Sequence, residues 1–285
     1  MQHSYRLYGM KVRIRRMSDG ERKDFEREHG ELLCGSRIGM PKSFLCNRTL
    51  LMTVEGGCDI RYHVREGGNP DYARTYLLGY GMAMAALQQG KLAFHCSALE
   101  AKEGGAVLIA GESGAGKSTL TVNLLQQGYR FLADDMAVVD PGQEKIQVYP
   151  SLPYMKLCRD AVLRQGYDPE TLCYIDEKKD KFLVPYTGDF RTTGTELKQF
   201  ILLQKGKETA IRTEEITGAD RMLMYKENLF LRRLWKGQDP EPEVWQKCLK
   251  MAEKIPVYCI RRPAAGDSTA GVAAEVHRLH SMVLA

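Results

Sequence analysis

The chain has 285 residues, of which 44% are hydrophobic and 27% are charged, and its 41 Lys and Arg against 36 Asp and Glu give a net charge of +5. This composition is typical of a globular protein with a sizeable core, in one large or two ordinary domains, and excludes a disordered chain. The mild positive excess is not the dense basic stripe of a nucleic-acid-binding protein, so we expect no nucleic-acid partner.

The sequence also bears on the compartment of the protein. Its eight cysteines include no pair at C-x-x-C spacing, which argues against a zinc knuckle or a redox dithiol. The start, MQHSYR, lacks the apolar segment of a secretory signal. The longest nearly apolar run, 77–87, is far shorter than the roughly 20 residues that span a bilayer. We expect a cytoplasmic protein with reduced thiols and no membrane partner.

The first ninety residues predict a β-rich extension that ends in a helix. Alternating apolar and basic residues over Met10–Arg16 predict a half-buried strand, and the charged stretch 19–31 is helical or loose. Residues 49–54 and 59–64 predict a hairpin. A cap at Asn69 or Asp71 then opens a helix that runs to about residue 89.

Residues 91–285 predict an α/β unit, because strand and helix patterns mix without a long linker. The strands are expected at 91–99, 106–110, 130–133, 136–139, 198–204, 209–216 and 257–261, and the helices at 118–127, 218–235, 241–254 and 268–283.

One segment of this unit is a phosphate-binding loop. Residues 111–118, GESGAGKS, satisfy the pattern G-x-x-x-x-G-K-[ST]. The loop leaves the apolar strand 106–110 and enters a helix with apolar spacing, which is the context that the chemistry requires. The less favoured interpretation is a Gly-rich turn that binds no ligand.

The loop residues have separate physical roles. Gly111, Gly114 and Gly116 permit backbone angles and a close approach that let consecutive N–H groups surround a phosphate. Lys117 neutralises charge on the β- and γ-phosphates, and the Ser118 hydroxyl ligates Mg²⁺. We therefore predict ATP and Mg²⁺ as the cofactors.

Two adjacent carboxylates follow at the end of an apolar run, FLADD. The segments LSGGQ of ABC-type ATPases and NKxD of GTPases do not occur in the sequence, which argues against both classes of protein. Side chains of neighbouring strand residues point to opposite faces, which favours separate duties for Asp134 and Asp135. One carboxylate would hold the metal and the other would take a proton from an attacking hydroxyl. The plain alternative is a solvated strand end.

His95 lies amid apolar residues on the strand before the loop. A lone histidine there is more often a core residue than a catalytic one. The neighbouring Cys96 is better explained as a buried strand cysteine than as a thiolate nucleophile.

Taken together, His95, the loop GESGAGKS, the helix ending in QG at Gly128 and the segment RFLADD resemble the catalytic domain of HPr kinase/phosphorylase and its wider family. The resemblance implies a P-loop core with a mixed sheet flanked by helices and ATP-dependent phosphorylation of a serine hydroxyl on a peptide or protein. It assigns Asp134 as general base, Asp135 as the acid associated with Mg²⁺, and His95 as an active-site residue near the reacting phosphate.

The sequence differs from HPr kinase itself at several positions, and these differences narrow the resemblance to one part of the family. Thr119 stands where that enzyme usually has Glu, Cys96 stands where it usually has Gly, and its EIRG segment is absent. The sequence looks closer to the stand-alone kinases of lasso-peptide biosynthesis, which implies the C-terminal serine of a precursor peptide as acceptor. The resemblance is also compatible with a homo-oligomer.

Two further lysines, Lys156 and Lys181, are candidate phosphate or substrate contacts, because a metaphosphate-like transition state favours several cations. Solvated surface lysines are the alternative. Two other functions stay open: a kinase of a small molecule such as free serine, and a regulator that binds ATP without catalysis. The predicted catalytic residues are Asp134, His95 and Lys117, the metal ligands are Ser118 and Asp135, and the nucleotide-binding residues are Gly111, Ser113, Gly114, Ala115, Gly116, Lys117, Ser118, Thr119, Lys156 and Lys181.

Overall fold

The N-terminal part of the chain forms a sheet covered by a long helix. The computed structural model describes residues 3–30, 34–176, 180–207, 209–235 and 239–285. The sheet order is β1-β2-β6-β5-β4-β3, in which β2 and β6 are parallel and the other neighbours are antiparallel. The elements are β1 His3–Leu7, β2 Met10–Arg16, α1 Asp19–His29, β3 Gly35–Arg37, β4 Lys42–Cys46, β5 Leu50–Glu55 and β6 Asp59–Val64. The predicted strand at Met10–Arg16 and the predicted hairpin are confirmed, whereas β1, β3 and β4 were not predicted.

The long helix begins where the sequence predicts it. The Asn69 side chain accepts hydrogen bonds from the first backbone N–H groups of α2, Pro70–Tyr76. A π-helical turn, Leu77–Gly81, continues into α3, Met82–Gln88. Residues 82–87 are all buried, because α3 lies between the N-terminal sheet and a second, larger sheet. One continuous hydrophobic core therefore joins the two sheets.

The second sheet is mixed, and helices pack against it, so the predicted α/β fold class is confirmed. Its centre is parallel, with β16 between β9 and β18, and β8, β10 and β17 extend it in antiparallel fashion. Beyond β16 lie β12, β11 and β7. Its elements are β7 Leu92–Phe94, β8 Cys96–Glu100, β9 Ala106–Ala110, α4 Lys117–Gln126, β10 Arg130–Ala133, β11 Ala137–Asp140, β12 Gln147–Tyr149, β16 Thr195–Gly206, β17 Arg212–Ile216, α6 Gly218–Glu227, α7 Pro242–Lys254, β18 Val257–Pro263 and α8 Thr269–Leu284.

A small third sheet, which the sequence analysis did not predict, lies beside the second. Its strand order is β13-β15-β14, and all its pairs are antiparallel. This sheet matters for function because it carries Lys156 and Lys181. Its elements, with the short helix that follows its first strand, are β13 Tyr154–Cys158, α5 Arg159–Arg164, β14 Cys173–Asp176 and β15 Lys181–Pro185.

Two predicted elements are wrong in extent. The expected strand 91–99 is broken at His95, because β7 pairs with β11 whereas β8 pairs with β9 and β10. The expected helix 218–235 ends at Glu227. The chain after α6 bonds instead to the broken strand: the His95 N–H donates to the Asn228 carbonyl at 2.8 Å, and the Phe230 N–H donates to the Ala93 carbonyl at 2.8 Å. Tertiary pairing thus overrides local helix propensity.

Two compositional expectations can be compared with the structure. None of the eight cysteines forms a disulfide, in agreement with the expected reduced thiols. Among the described residues, no helix combines the length and the apolar character needed to span a bilayer.

Candidate active site

A cavity of about 1020 Å³ opens between the second and third sheets, the N-terminal helix and the chain after α6. Its wall includes the start of the phosphate loop at Gly111 and Ser113, together with His95 and Asp135. The wall also includes residues of the π-helical turn and of the segment around Phe230. The cavity is large enough for a nucleotide and part of a second substrate.

The backbone of the phosphate loop packs closely against strand β16. Gly111 has φ +146°, and a Cβ atom built on it would lie 2.2 Å from the carbonyl oxygen of Leu203 in β16. On the other side, the Arg262 guanidinium donates from Nε to the Ala115 carbonyl at 2.7 Å. The loop therefore runs directly over the parallel strands, at the N-terminus of α4, where backbone N–H groups and the helix dipole favour an anion.

Replacing Gly111 by alanine should therefore weaken nucleotide binding strongly by displacing the loop. The added methyl group would collide with the Leu203 carbonyl, and a side chain at φ +146° is strained in any surroundings. We expect ATP affinity, measured by calorimetry, to fall at least about tenfold.

The matched control is Gly114→Ala. Gly114 also has positive φ, +82°, but a Cβ atom there meets nothing within 4 Å. Its effect should be clearly smaller. Equal losses in the two variants would contradict the close-approach argument for Gly111.

Lys117 at the start of α4 lies over the loop. Its Nζ atom donates to the carbonyl oxygens of Gly111 at 2.6 Å and Glu112 at 3.1 Å. Burial lowers the pKa of Lys117, and the charge of Lys181 acts in the same direction. Since the loop carbonyls hold this ammonium group in place, it is available to pair with phosphate oxygens.

The two aspartates are in different surroundings. Both oxygens of Asp134 accept hydrogen bonds, one from the Ser97 hydroxyl at 2.8 Å and one from the backbone N–H of Lys156 at 2.8 Å. Asp135 follows with φ +65°, just beyond the end of β10, and its carboxylate lines the cavity. The strand thus ends before the pair, so strand alternation does not determine where the two carboxylates point.

Asp135 is the negative centre of a cluster of cations. Its carboxylate lies 2.7 Å from the Lys156 Nζ and 3.7 Å from the His95 Nδ1. Burial raises the pKa of Asp135, but the charges of Lys156 and His95 outweigh burial and hold that pKa well below its usual value. Asp135 is therefore an ionised carboxylate facing the cavity.

His95 projects into the cavity from the break between β7 and β8, with 46% of its side chain exposed. Its Nδ1 faces two oxygens of Asp135, the backbone carbonyl at 3.0 Å and the carboxylate at 3.7 Å, so we assign the ring proton to Nδ1. Nε2 is then free to accept a hydrogen bond. Because the ring lies in a concave site, burial lowers the pKa of His95, and Asp135 opposes this effect.

The third sheet brings the two candidate lysines to one face. In the pairing of β13 with β15, Lys156 lies opposite Leu183 and Cys158 lies opposite Lys181. Alternate residues of a strand share a face, so Lys156 and Lys181 point the same way, and both line the cavity. Among the described residues Lys181 makes no ion pair, which leaves its charge available for a ligand.

Not all the predicted site residues lie on the cavity wall. The structure brings Gly111, Ser113, His95, Asp135, Lys156 and Lys181 together there. Asp134 is turned toward Ser97, and the buried Cys96 agrees with a structural role. The remaining predicted residues, Gly114, Ala115, Gly116, Lys117, Ser118 and Thr119, complete the loop and the first turn of α4.

Sequence reasoning missed the aromatic wall of the cavity. Tyr72, Tyr76 and Tyr80 all line it. Their i, i+4, i+8 spacing within a predicted helix was a usable signal, because residues four apart share a helix face. Phe230 had no such signal, since it reaches the cavity only through its pairing with β7.

The donor set fits a magnesium ion bound together with phosphates. Mg²⁺ is commonly held by one or two carboxylates plus substrate phosphate oxygens and water. The ionised, cavity-facing carboxylate of Asp135 supplies such a donor, and the Ser118 hydroxyl lies in the first turn of the helix that follows the loop.

Comparison with known proteins finds similarity at the level of structure. No protein-family model matches the sequence, and the comparison with curated proteins finds no match. Among the solved structures similar to the chain is the Hpr(Ser) kinase/phosphatase from Coxiella burnetii. The two chains are 14% identical, the similarity covers 67% of this chain and 92% of that one, and the TM-score is 0.35. The overlap is partial, so the chemistry proposed for the site depends on its own residues.

Proposed function

We propose that the protein is an ATP-dependent kinase that phosphorylates a serine hydroxyl of a peptide or protein. One observation carries the proposal: a phosphate loop, an ionised carboxylate, a histidine and two lysines open onto the same cavity. Phosphoryl transfer depends mainly on positioning and charge stabilisation, which is what this arrangement supplies.

The chemistry would need few protein groups. The serine oxygen forms a bond to the γ-phosphorus, the bond to the bridging β,γ-oxygen breaks, and ADP departs with its electron pair. The hydroxyl proton passes to Asp134, the base that the family resemblance assigns. Its oxygens keep lone pairs beyond those used by Ser97 and the Lys156 backbone. Lys117, Lys156 and Lys181 would stabilise negative charge on the phosphoryl group.

Magnesium would neutralise charge on the β- and γ-phosphates when bound. Ser118 and Asp135 are the residues that would hold it. For Asp135 this requires that its contact with Lys156 be shared with, or replaced by, the metal.

The pH dependence of transfer should report His95. With Nδ1 protonated, Nε2 can accept a hydrogen bond from a substrate donor other than the reacting hydroxyl, but a second proton on Nε2 removes that ability. Burial lowers the pKa of His95 from its ordinary value of 6.5. We therefore expect kcat/KM to hold down to about pH 6.5 and to fall only at lower pH.

The His95→Gln variant isolates this effect. We expect kcat/KM of this variant to be lower but measurable. The decrease of kcat/KM at low pH that protonation of His95 causes should be absent from its pH profile. A wild-type limb centred above pH 6.5, or a limb unchanged in the variant, would contradict the assignment.

The experiment that tests the function is incubation of the purified protein with γ-labelled ATP, Mg²⁺ and serine-containing peptides. Label on a peptide supports the proposal, and label on free serine alone supports a small-molecule kinase. ATP binding without transfer to any acceptor would indicate the non-catalytic regulator. The family resemblance adds one particular acceptor to the peptide set, a lasso-peptide precursor with a C-terminal serine.

A further inference from the structure

Part of the cavity wall is a row of aromatic rings that starts at His95, and we call the part of the cavity beside this row the arm. The Phe230 ring lies 5.9 Å from the His95 ring, and Tyr80 lies 5.3 Å from Phe230, centroid to centroid. Tyr76 stacks on Tyr80 at 6.1 Å with an interplanar angle of 20°. The row therefore runs continuously from the predicted catalytic histidine to the helix of the N-terminal extension.

The fold fixes both sides of this arm. Tyr80 lies in the π-helical turn, whose Leu78 carbonyl accepts a hydrogen bond from the buried Tyr8 hydroxyl at 3.4 Å. A Cβ atom on Gly81 would lie 2.9 Å from the Met52 sulfur, so the turn packs closely against the N-terminal sheet. Turns of this type inside α-helices are often found at functional sites.

The opposite side is tied to the strand that carries His95. Phe230 is bonded through its backbone to Ala93, and Asn228 is bonded to His95 itself. Phe230 and His95 therefore keep a fixed spacing. The arm is a preformed surface, so little ordering entropy would be lost when a ligand binds.

The arm carries a positive charge that forms no ion pair in the described part of the chain. Arg232 and Arg233 both line it, and Arg232 forms an ion pair with Glu227. Arg233 is exposed and makes no ion pair with any residue that the structure describes. Arg233 lines the same cavity as Tyr76, Tyr80 and Phe230. An unpaired guanidinium beside an aromatic surface suits a carboxylate attached to an apolar group.

The position of the arm distinguishes acceptor from nucleotide. The phosphates must lie along the loop at Gly111 and Ser113, and the γ-phosphate must face His95 and Asp135. In-line transfer requires the attacking oxygen to approach the γ-phosphorus from the side opposite ADP. The aromatic row begins at His95, and its other members belong to the N-terminal helix and to the chain after α6, not to the phosphate loop, so we place it on the acceptor side.

We propose that this arm is the acceptor site, and that it binds an extended peptide segment with an apolar side chain next to the reacting serine and a carboxylate that pairs with Arg233. The proposal rests on the proposed kinase function. It makes the N-terminal extension part of the substrate site through Tyr76 and Tyr80. The carboxylate belongs either to an acidic side chain or to the peptide C-terminus.

The test uses three forms of one seven-residue peptide with a central serine followed by phenylalanine. One form has a free C-terminal carboxylate, one is amidated, and one is amidated but carries a glutamate near its end. Both carboxylate forms, or one of them, should have a KM about tenfold below that of the neutral form. The preferred form identifies the source of the carboxylate.

The variant Arg233→Gln should abolish this preference and leave the KM for ATP unchanged. Tyr76→Ala should raise the KM of all three peptides and also leave the KM for ATP unchanged. The matched control is Arg74→Gln, an exposed arginine of the same helix that is paired with Asp71. A preference that survives in Arg233→Gln, or a raised KM for ATP in place of the peptide effect, would overturn the assignment.

Direct binding separates this inference from the kinase proposal. If no peptide is phosphorylated, calorimetry with a non-hydrolysable ATP analogue present still tests the arm. Binding of a carboxylate peptide to the wild type, and its loss in Arg233→Gln, supports the arm although the kinase proposal fails. Absence of peptide binding to the wild type overturns the arm.

Discussion

Replacing Asp134 with asparagine should lower the rate of phosphoryl transfer by about 10²- to 10⁴-fold, the usual contribution of a positioned general base. The variant keeps the shape of the side chain. The amide oxygen of the asparagine can accept a hydrogen bond from the Lys156 N–H. Its amide nitrogen can donate to the Ser97 hydroxyl oxygen, so that Ser97 changes from donor to acceptor. The folded structure should therefore survive, and ATP affinity measured by calorimetry should stay near the wild-type value.

The matched control for this prediction is Ser97→Ala. Ser97 is buried and donates to Asp134, so its loss leaves the carboxylate in place with one fewer hydrogen bond. We expect single-turnover transfer in this variant to fall far less than in Asp134→Asn. Unchanged transfer in Asp134→Asn would remove Asp134 from the role of base and leave Asp135 and His95 as the remaining groups near the reacting atoms.

Local signals made the phosphate loop and the long N-terminal helix predictable. The loop is one contiguous motif between an apolar strand and a helix. The start of the long N-terminal helix is indicated by Asn69 at its cap. Both depend on residues close together in sequence, where propensity and capping act directly. The strands of the third sheet gave a weaker signal: Met155, Lys156 and Leu157 alternate between apolar and charged residues, whereas 182–184 are all apolar, although both strands alternate in burial.

The rest of the site could not be predicted, because it depends on pairing between residues that are distant in the sequence. Nothing in the sequence near His95 marks the point where the chain changes partners from β11 to β9, although this break exposes the imidazole. The early end of α6 has the same origin, because the chain around Phe230 pairs with β7. Local patterns describe the elements, whereas the contact between His95, Asp135 and Lys156 requires the tertiary arrangement of two sheets.

The Lys156→Met variant should lose both activity and stability, because it removes the closest cation from Asp135. The two side chains are only 22% and 17% exposed, so their ion pair is largely shielded from water. Loss of one partner from such a pair leaves a poorly solvated charge, and we expect the free energy of unfolding to fall by about 1–3 kcal/mol. Transfer should fall by about 10²- to 10³-fold, because a cation beside the phosphoryl group is lost.

The pH dependence of this stability loss has a defined sign. The pKa of Asp135 lies below its ordinary value of 3.8 in the folded protein, so its ion pair stabilises the fold above pH 3.8. That contribution disappears as the pH falls through the folded-state pKa. The stability difference between the wild type and Lys156→Met, measured by urea unfolding, should therefore be largest near neutral pH and shrink in acid.

Two further variants decide whether the stability loss belongs to the ion pair. Lys181→Met removes a neighbouring cation that makes no ion pair within the described part of the chain, so it should leave the free energy of unfolding nearly unchanged. Asp135→Asn combined with Lys156→Met should recover much of the stability lost in Lys156→Met alone, because the unpaired charge is gone. Equal losses in Lys156→Met and Lys181→Met, with no recovery in the double variant, would show that Lys156 stabilises the fold through packing of its chain and not through Asp135.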